Sequence, residues 1–323
     1  MSIEEICEKY GITNYTINDD GSIDVDGNVN LKLLKITKLP LKFKIVSGYF
    51  HCPLGLTTLE GSPKYVGGDF DCSCNDELTN LEGCPEKIDG KFNCSGNELT
   101  SLEEGPESVG HDYNCASNKL TSLSGSPESV GGRFICLDNK LTTLEGSPIS
   151  VGGLFDCSVN NLTDLQYAPK RINSHFTADN NKLTSLKGCP ELVGGGFDCS
   201  ENNLTDLKGS PNKVGWSFKC FNNELTDLKG SPEYIGDNLF CSNNKITSLE
   251  NNTKHIGIRI WINNNPISNI LGTNILYEDL SAFNSFRILK DDVINLKRLK
   301  YFYSIFAFDT IDLDLIKKFY KIV

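Results

Sequence analysis

The chain of 323 residues carries a formal net charge of −11, with 42 acidic residues against 31 basic ones. That balance disfavours nucleic acid or an anionic membrane as partner, since either calls for clustered Lys and Arg. No apolar run reaches the length of about 18 residues that a membrane-spanning helix needs, so no membrane insertion is expected.

Residues 1–28 read as an N-terminal cap. Ser2 to Tyr10 has helical spacing, with Ile3, Ile6 and Cys7 on one face. Its start, MSIEEICEKYG, is acidic and has no apolar core, so no secretory signal is expected there. Asn14 to Val25 reads as a hairpin turning at Asp19 to Gly21. Helix and hairpin are expected to cover the exposed edge of the first coil, because an open strand edge invites pairing with another chain.

Residues 29–270 repeat with a step of 21. Aligned on Phe134, the position is filled by Val29, Phe50, Phe70, Phe92, Tyr113, Phe134, Phe155, Phe176, Phe197, Phe218, Leu239 and Ile260. The step is 20 before Phe70 and 22 after it, and otherwise constant. A period of this kind predicts a solenoid. Two residues further on comes a second apolar position, Cys in nine copies from Cys52 to Cys241 and Ala178 in one. A spacing of two places both side chains on one face of a short strand. Asn follows at 75, 97, 118, 139, 160, 181, 202, 223, 244 and 265, then a pair of Leu positions and a Pro turn such as Gly146 to Pro148. One buried Asn per coil is expected to satisfy its amide on the backbone where the strand bends away. Glycines such as Gly131 and Gly132 are expected to allow positive φ or a close backbone approach. Each coil buries about five apolar side chains at roughly 1.5–3 kcal/mol apiece. Ordering its residues costs about 1–2 kcal/mol each, so stability must come from stacking.

The repeat, read as PxxVGGxFxCxxNxLTxL, resembles the leucine-rich repeat LxxLxLxxNxL, with Phe and Cys in place of two leucines. Its short Pro-containing return is similar to the subtype of bacterial secreted effectors. The Gly- and Cys-rich wording, with the leader Asn14 to Leu31, also resembles repeat proteins encoded by large tailed phages and other large viruses. The resemblance implies a β-rich solenoid of about twelve coils with one parallel sheet, capped at both ends. It also implies a protein-binding scaffold, either a virion component or a binder of a host factor. A surface adhesin or carbohydrate-binding protein is the alternative, and it calls for secretion.

Of 13 cysteines, nine stand in the inward ladder, and Cys74, Cys84 and Cys189 lie off it. In-register parallel side chains point the same way, which is poor disulfide geometry. Free Cys packs as a small hydrophobe. Reduced thiols, no metal, no cofactor and a cytoplasmic or virion location are therefore expected. Residues 271–323 change character, with aromatics from Tyr277 to Tyr320 and helical spacing in Ile275 to Leu289, Val293 to Phe302 and Leu313 to Tyr320, the last with Asp312 as N-cap. A helical C-terminal cap is expected.

In the resembling family the outer sheet face makes the contacts. Here that row reads Asn30, His51, Asp71, Asn93, Asn114, Ile135, Asp156, Thr177, Asp198, Lys219, Phe240 and Trp261. Two apolar clusters interrupt it: Ile135 and Leu137 beside Leu154, and Phe221, Phe240 and Trp261 on successive strands. Exposed aromatics on adjacent strands are candidate hot spots for a protein partner. The four histidines (51, 111, 175 and 255) are scattered and have no nucleophile at a fixed offset, so no catalytic residue and no enzyme activity are expected.

Overall fold

The structure is a computed structural model that describes residues 1–247, 253–262, 264–265, 289–290, 293–294, 296–297 and 321–323. It divides into two units, Met1–Leu162 with Gln166–Asn173, and Thr163–Leu165 with Ser174–Val323. Each is a stretch of parallel-sheet β-solenoid, about eleven turns in all.

The first unit opens on a helix, Ile3–Tyr10. Ser2 caps it through a reciprocal pair: Glu5 N donates to Ser2 Oγ (3.3 Å), and Ser2 N donates to Glu5 Oε2 (2.9 Å). Gly11, in the left-handed region, ends it. The hairpin comes next, Tyr15–Ile17 antiparallel to Ile23–Val25. Ile23–Val25 then pairs parallel with Phe43–Val46, so the hairpin closes one sheet of the solenoid.

There are two such sheets, one more than the repeat pattern suggests. In the first unit one sheet stacks Val29–Asn30, Phe50–His51, Phe70–Asp71, Phe92–Asn93, Tyr113–Asn114, Phe134–Ile135 and Phe155–Asp156, parallel and in register. We call it the Phe sheet. The other, the Val sheet, stacks the strands that end in Val46, Val66, Ile88, Val109, Val130, Val151 and Ile172. The second unit repeats the plan, from Phe176–Thr177 to Arg259–Trp261 and from Leu192–Val193 to His255–Ile256. A glycine corner separates the two strands of most coils, with Asn173 to His175 standing there in one. A Cβ on Gly131 would fall well inside van der Waals contact of the Gly110 carbonyl one coil earlier. Its φ is not positive, so close approach is the reason for glycine here.

Between the sheets lie the ladders. Phe134 and Phe155 stack at 5.5 Å, and Phe176 and Phe197 at 5.3 Å, all fully buried. The ladder cysteines are buried behind them. Three of their thiols donate to a carbonyl of the next coil, Cys115 to Ile135 O, Cys136 to Asp156 O and Cys199 to Lys219 O, at 3.2–3.4 Å. The Asn ladder is met as expected. Asn118 Oδ1 accepts from Leu99 N of the preceding coil (3.0 Å), and its Nδ2 donates to Cys94 O (3.0 Å) and Cys115 O (3.1 Å).

The helical cap expected over 271–323 is corrected at one point. Val293–Ile294 is a strand, antiparallel to Leu289–Lys290 and parallel to Lys321–Ile322. Two adjacent β-branched residues suit a strand once partners are supplied, and one of those partners, Lys321–Ile322, lies remote in sequence. Leu296 and Lys297 are helical. The expected helices at Ile275 to Leu289, apart from Leu289 itself, and at Leu313 to Tyr320 lie outside the described residues.

Candidate functional site

The outer face of the Phe sheet carries the candidate row. Strand alternation drives each aromatic inward and the next residue outward. In the first unit the register aligns His51 with Asp71, Asp71 with Asn93, Asn93 with Asn114, Asn114 with Ile135, and Ile135 with Asp156. In the second it aligns Thr177, Asp198, Lys219, Phe240 and Trp261. All of these are half-buried or exposed.

Much of the polar part of this face is spent on the fold. The hydroxyl of Ser73 donates to Asp71 Oδ1 at 2.6 Å, and the Ser73 backbone N–H donates to the same oxygen at 3.0 Å. Asn93 with Ser95, Asp156 with Ser158 and Asp198 with Ser200 repeat the arrangement. Asn114 Oδ1 accepts from Ala116 N. These are side-chain turns that end the strand. The D/N-x-S wording of the repeat was the signal for them. The second carboxylate oxygen is also engaged: Asp71 Oδ2 meets Lys32 Nζ at 2.6 Å, and Asp198 Oδ2 meets Lys219 Nζ at 3.0 Å. Burial pushes the Asp71 carboxyl up, but the hydrogen bonds from Lys32 and Ser73 outweigh it and hold the group below its usual range.

The two apolar clusters differ. Ile135, Leu137 and Leu154 are all half-buried. In the second unit Leu239 takes the core position and Phe240 stays outside, so the two do not exchange. Phe240 and Trp261 stack face to face at 5.9 Å with an interplanar angle of 8°, and Trp261 is 40% exposed. Phe221 is half-buried two residues beyond the row.

A further aromatic escaped the sequence reading. Trp216 is 57% exposed at the glycine corner and meets His175 edge-on at 5.0 Å. His175 Nδ1 accepts from Gly196 N at 2.9 Å. Its signal was a Trp in VGWSF, where most copies have a smaller residue. Of the other histidines, His51 stacks on Tyr49 and His255 on Tyr234. Cys72 is buried, while Cys74 is exposed with φ of 61°, so the two thiols of CxC do not converge. Burial pushes the ladder thiols Cys52, Cys94, Cys136, Cys199 and Cys220 far up. Such thiols are poor nucleophiles. Among the described residues no three His, Cys, Asp or Glu side chains are placed to share a metal ion, and no helix is long and apolar enough to cross a membrane.

No protein-family model matches the chain, and no curated protein matches it. Among solved structures, YopM from Yersinia enterocolitica WA-314 is similar, with a TM-score of 0.52 and 23% identity over 78% of this chain. The functional domain of InlJ from Listeria monocytogenes, which includes a cysteine ladder, is similar at a TM-score of 0.38 and 19% identity over 76% of this chain. The chain spans 54% of the first protein's length and 64% of the second's. Both are leucine-rich repeat proteins, and the likeness to YopM shows that fold for this chain.

Proposed function

We propose that this chain is a non-enzymatic, protein-binding repeat scaffold whose contact surface is the outer face of the Phe sheet, centred on Phe221, Phe240 and Trp261. One observation carries the reading. Phe240 and Trp261 present stacked rings on adjacent strands, with Trp261 40% exposed, where the neighbouring polar residues are engaged with each other. Rigid aromatic anchors of this kind dominate binding energy at protein interfaces. The row from His51 to Lys219, with Ile135, Leu137 and Leu154, supplies the surrounding contacts. A role as virion component or host-factor binder is the finer reading, supported by the wording of the leader and repeats.

The test is an affinity capture from the native source, comparing wild type with the double variant Phe240→Ala/Trp261→Ala. A single dominant protein partner should be retained by the first and lost by the second, with circular dichroism unchanged. Equal capture by both would place the contact elsewhere. Glycans captured in place of protein would replace the reading with the adhesin one.

A further inference from the structure

The N-terminal cap closes the solenoid on one side only. Its hairpin extends the Val sheet beyond Phe43–Val46, whereas the Phe sheet ends on Val29–Asn30 with no further strand among the described residues. The return of the first coil, residues 33–39, is open as well. In later coils the two Leu positions of the return are fully buried, as at Leu56 and Leu59 or Leu78 and Leu81. Their counterparts in the first coil, Ile36 and Leu39, are only half-buried. Leu34, which stands where other coils carry the ladder Asn, is half-buried too, and Leu33 is 95% exposed. Apolar side chains grouped in this way mark a contact surface.

The backbone there is unfinished in the same direction. In regular coils the residue after the ladder Asn donates back to the preceding coil, as Lys119 N does to Leu99 O (2.8 Å) and Lys140 N to Leu120 O (2.9 Å). The Thr of the return does likewise, Thr142 N to Thr121 O at 3.3 Å. Lys35 and Thr37 hold these two positions in the first coil. Leu54 N and Thr57 N of the second coil donate to Leu34 O and Thr37 O, which fixes how the two coils stack. Lys35 N and Thr37 N, by contrast, have no preceding coil to meet and no acceptor among the described residues. An edge of this kind is a template for one more strand.

Charge selects the occupant. Residues 29–49 contain five lysines and no acidic residue, in a chain whose net charge is −11. Lys32 pairs with Asp71 and Lys42 with Asp20, while Lys35 and Lys38 are exposed and form no ion pair among the described residues. A second copy docked end to end would set lysine against lysine, which like charge disfavours. A lipid headgroup would match the charge but offers no row of backbone carbonyls to Lys35 N and Thr37 N.

We infer that the open end of the first coil binds an extended, acidic segment of a partner protein, which adds one strand beside residues 34–37, covers Leu33, Ile36 and Leu39 with its own apolar side chains and pairs its carboxylates with Lys35 and Lys38. This surface belongs to the first unit and the aromatic pair to the second, so either can fail without the other.

The test uses the full chain and a fluorescent peptide of about ten residues, Glu alternating with Val, read by anisotropy at two salt concentrations. Wild type should bind, more weakly at the higher salt. Lys35→Gln/Lys38→Gln should weaken binding at least tenfold, and Leu33→Ser, which changes no charge, several-fold. Lys182→Gln/Lys187→Gln, which removes the same charge from the second unit, should leave it unchanged. Bound peptide should also slow hydrogen exchange at the Lys35 and Thr37 amides at least tenfold. Equal loss in both lysine variants, or binding with exchange at those amides unaltered, would show attraction by charge alone and overturn the proposal. So would binding to phosphatidylserine vesicles but not to the peptide, which would make this end a lipid contact, or no binding below millimolar peptide. Phe240→Ala/Trp261→Ala should bind the peptide as wild type does.

Discussion

Asn118→Ala removes one rung of the asparagine ladder, and the structure sets the size of the effect. The side chain makes four hydrogen bonds: Oδ1 from Leu99 N at 3.0 Å, and Nδ2 to Cys94 O, Cys115 O and Ala116 O at 3.0–3.1 Å. The carbonyls are partly insured. Cys94 O also accepts from Asn97 Nδ2 (2.8 Å), and Cys115 O from Asn139 Nδ2 (3.0 Å). Leu99 N has no such second partner, and its residue is fully buried. The cost is therefore dominated by one orphaned buried N–H, about 1–3 kcal/mol, with a small cavity added, so about 2–3 kcal/mol is expected. Urea unfolding followed by circular dichroism reads the loss, and hydrogen exchange at the Leu99 amide localises it. Asn118→Asp sharpens the test. It keeps the acceptor for Leu99 but turns a donor into a second acceptor facing three carbonyls. Burial and those carbonyls disfavour the charged form, so the folded pKa lies above the unfolded value of about 3.9. The folded state then binds more protons than the unfolded one. This variant's stability should be greatest below pH of about 4 and fall as pH rises through the folded pKa. A change under about 0.5 kcal/mol in Asn118→Ala, with Leu99 exchange unaltered, would refute the ladder's role as the backbone's partner.

Other expectations concern strain, an unmatched hydroxyl and the thiols. Val159 holds φ of 54° in the turn before Asn160, where Asn180, Asn222 and Asn243 stand in equivalent copies. A β-branched residue is poorly placed there, so Val159→Asn should raise stability by about 1 kcal/mol, and a lower melting temperature would contradict the assignment of strain. Tyr113 is the one Tyr in a ladder of Phe, and its buried hydroxyl has no partner. The turn before it has Gly105 where others have Ser, and a Cβ on that glycine would lie 3.6 Å from the hydroxyl. Tyr113→Phe should therefore stabilise by about 1 kcal/mol in thermal unfolding, whereas a loss would reveal a hydrogen bond to the hydroxyl. Of the 13 thiols, only Cys74 is exposed, and ten are buried. A thiol reagent at pH 8 should find one fast group in the native protein and all 13 after denaturation. Several fast native thiols would argue against an inward ladder.

Local wording carried whatever repeats at a fixed offset. Phe134, Cys136, Asn139 and Leu141 recur together, and period-two spacing alone orients the first two inward. The side-chain turn of Asp71 with Ser73 was equally open to view, since it closes within three residues. The pairing of Lys32 with Asp71 was not, because 39 residues separate them and only stacking brings them together. Leu239 and Phe240 stood as alternatives for one core site until the register settled which faces in.

By itself, then, the amino-acid order determined that the chain coils with a step of 21, which side chains form the core, and that buried asparagines tie the coils' backbones. Tertiary structure decided the rest. Ser129–Val130 is too short to show alternation and becomes a strand only when Val109 and Val151 lie on either side of it. Val293–Ile294 likewise needs Lys321–Ile322. Lys32 meets Asp71 only because stacking brings together residues 39 positions apart. The physical reason is common to all three. A hydrophobic period is a property of neighbours along the chain, whereas strand pairing and ion pairing are properties of neighbours in space.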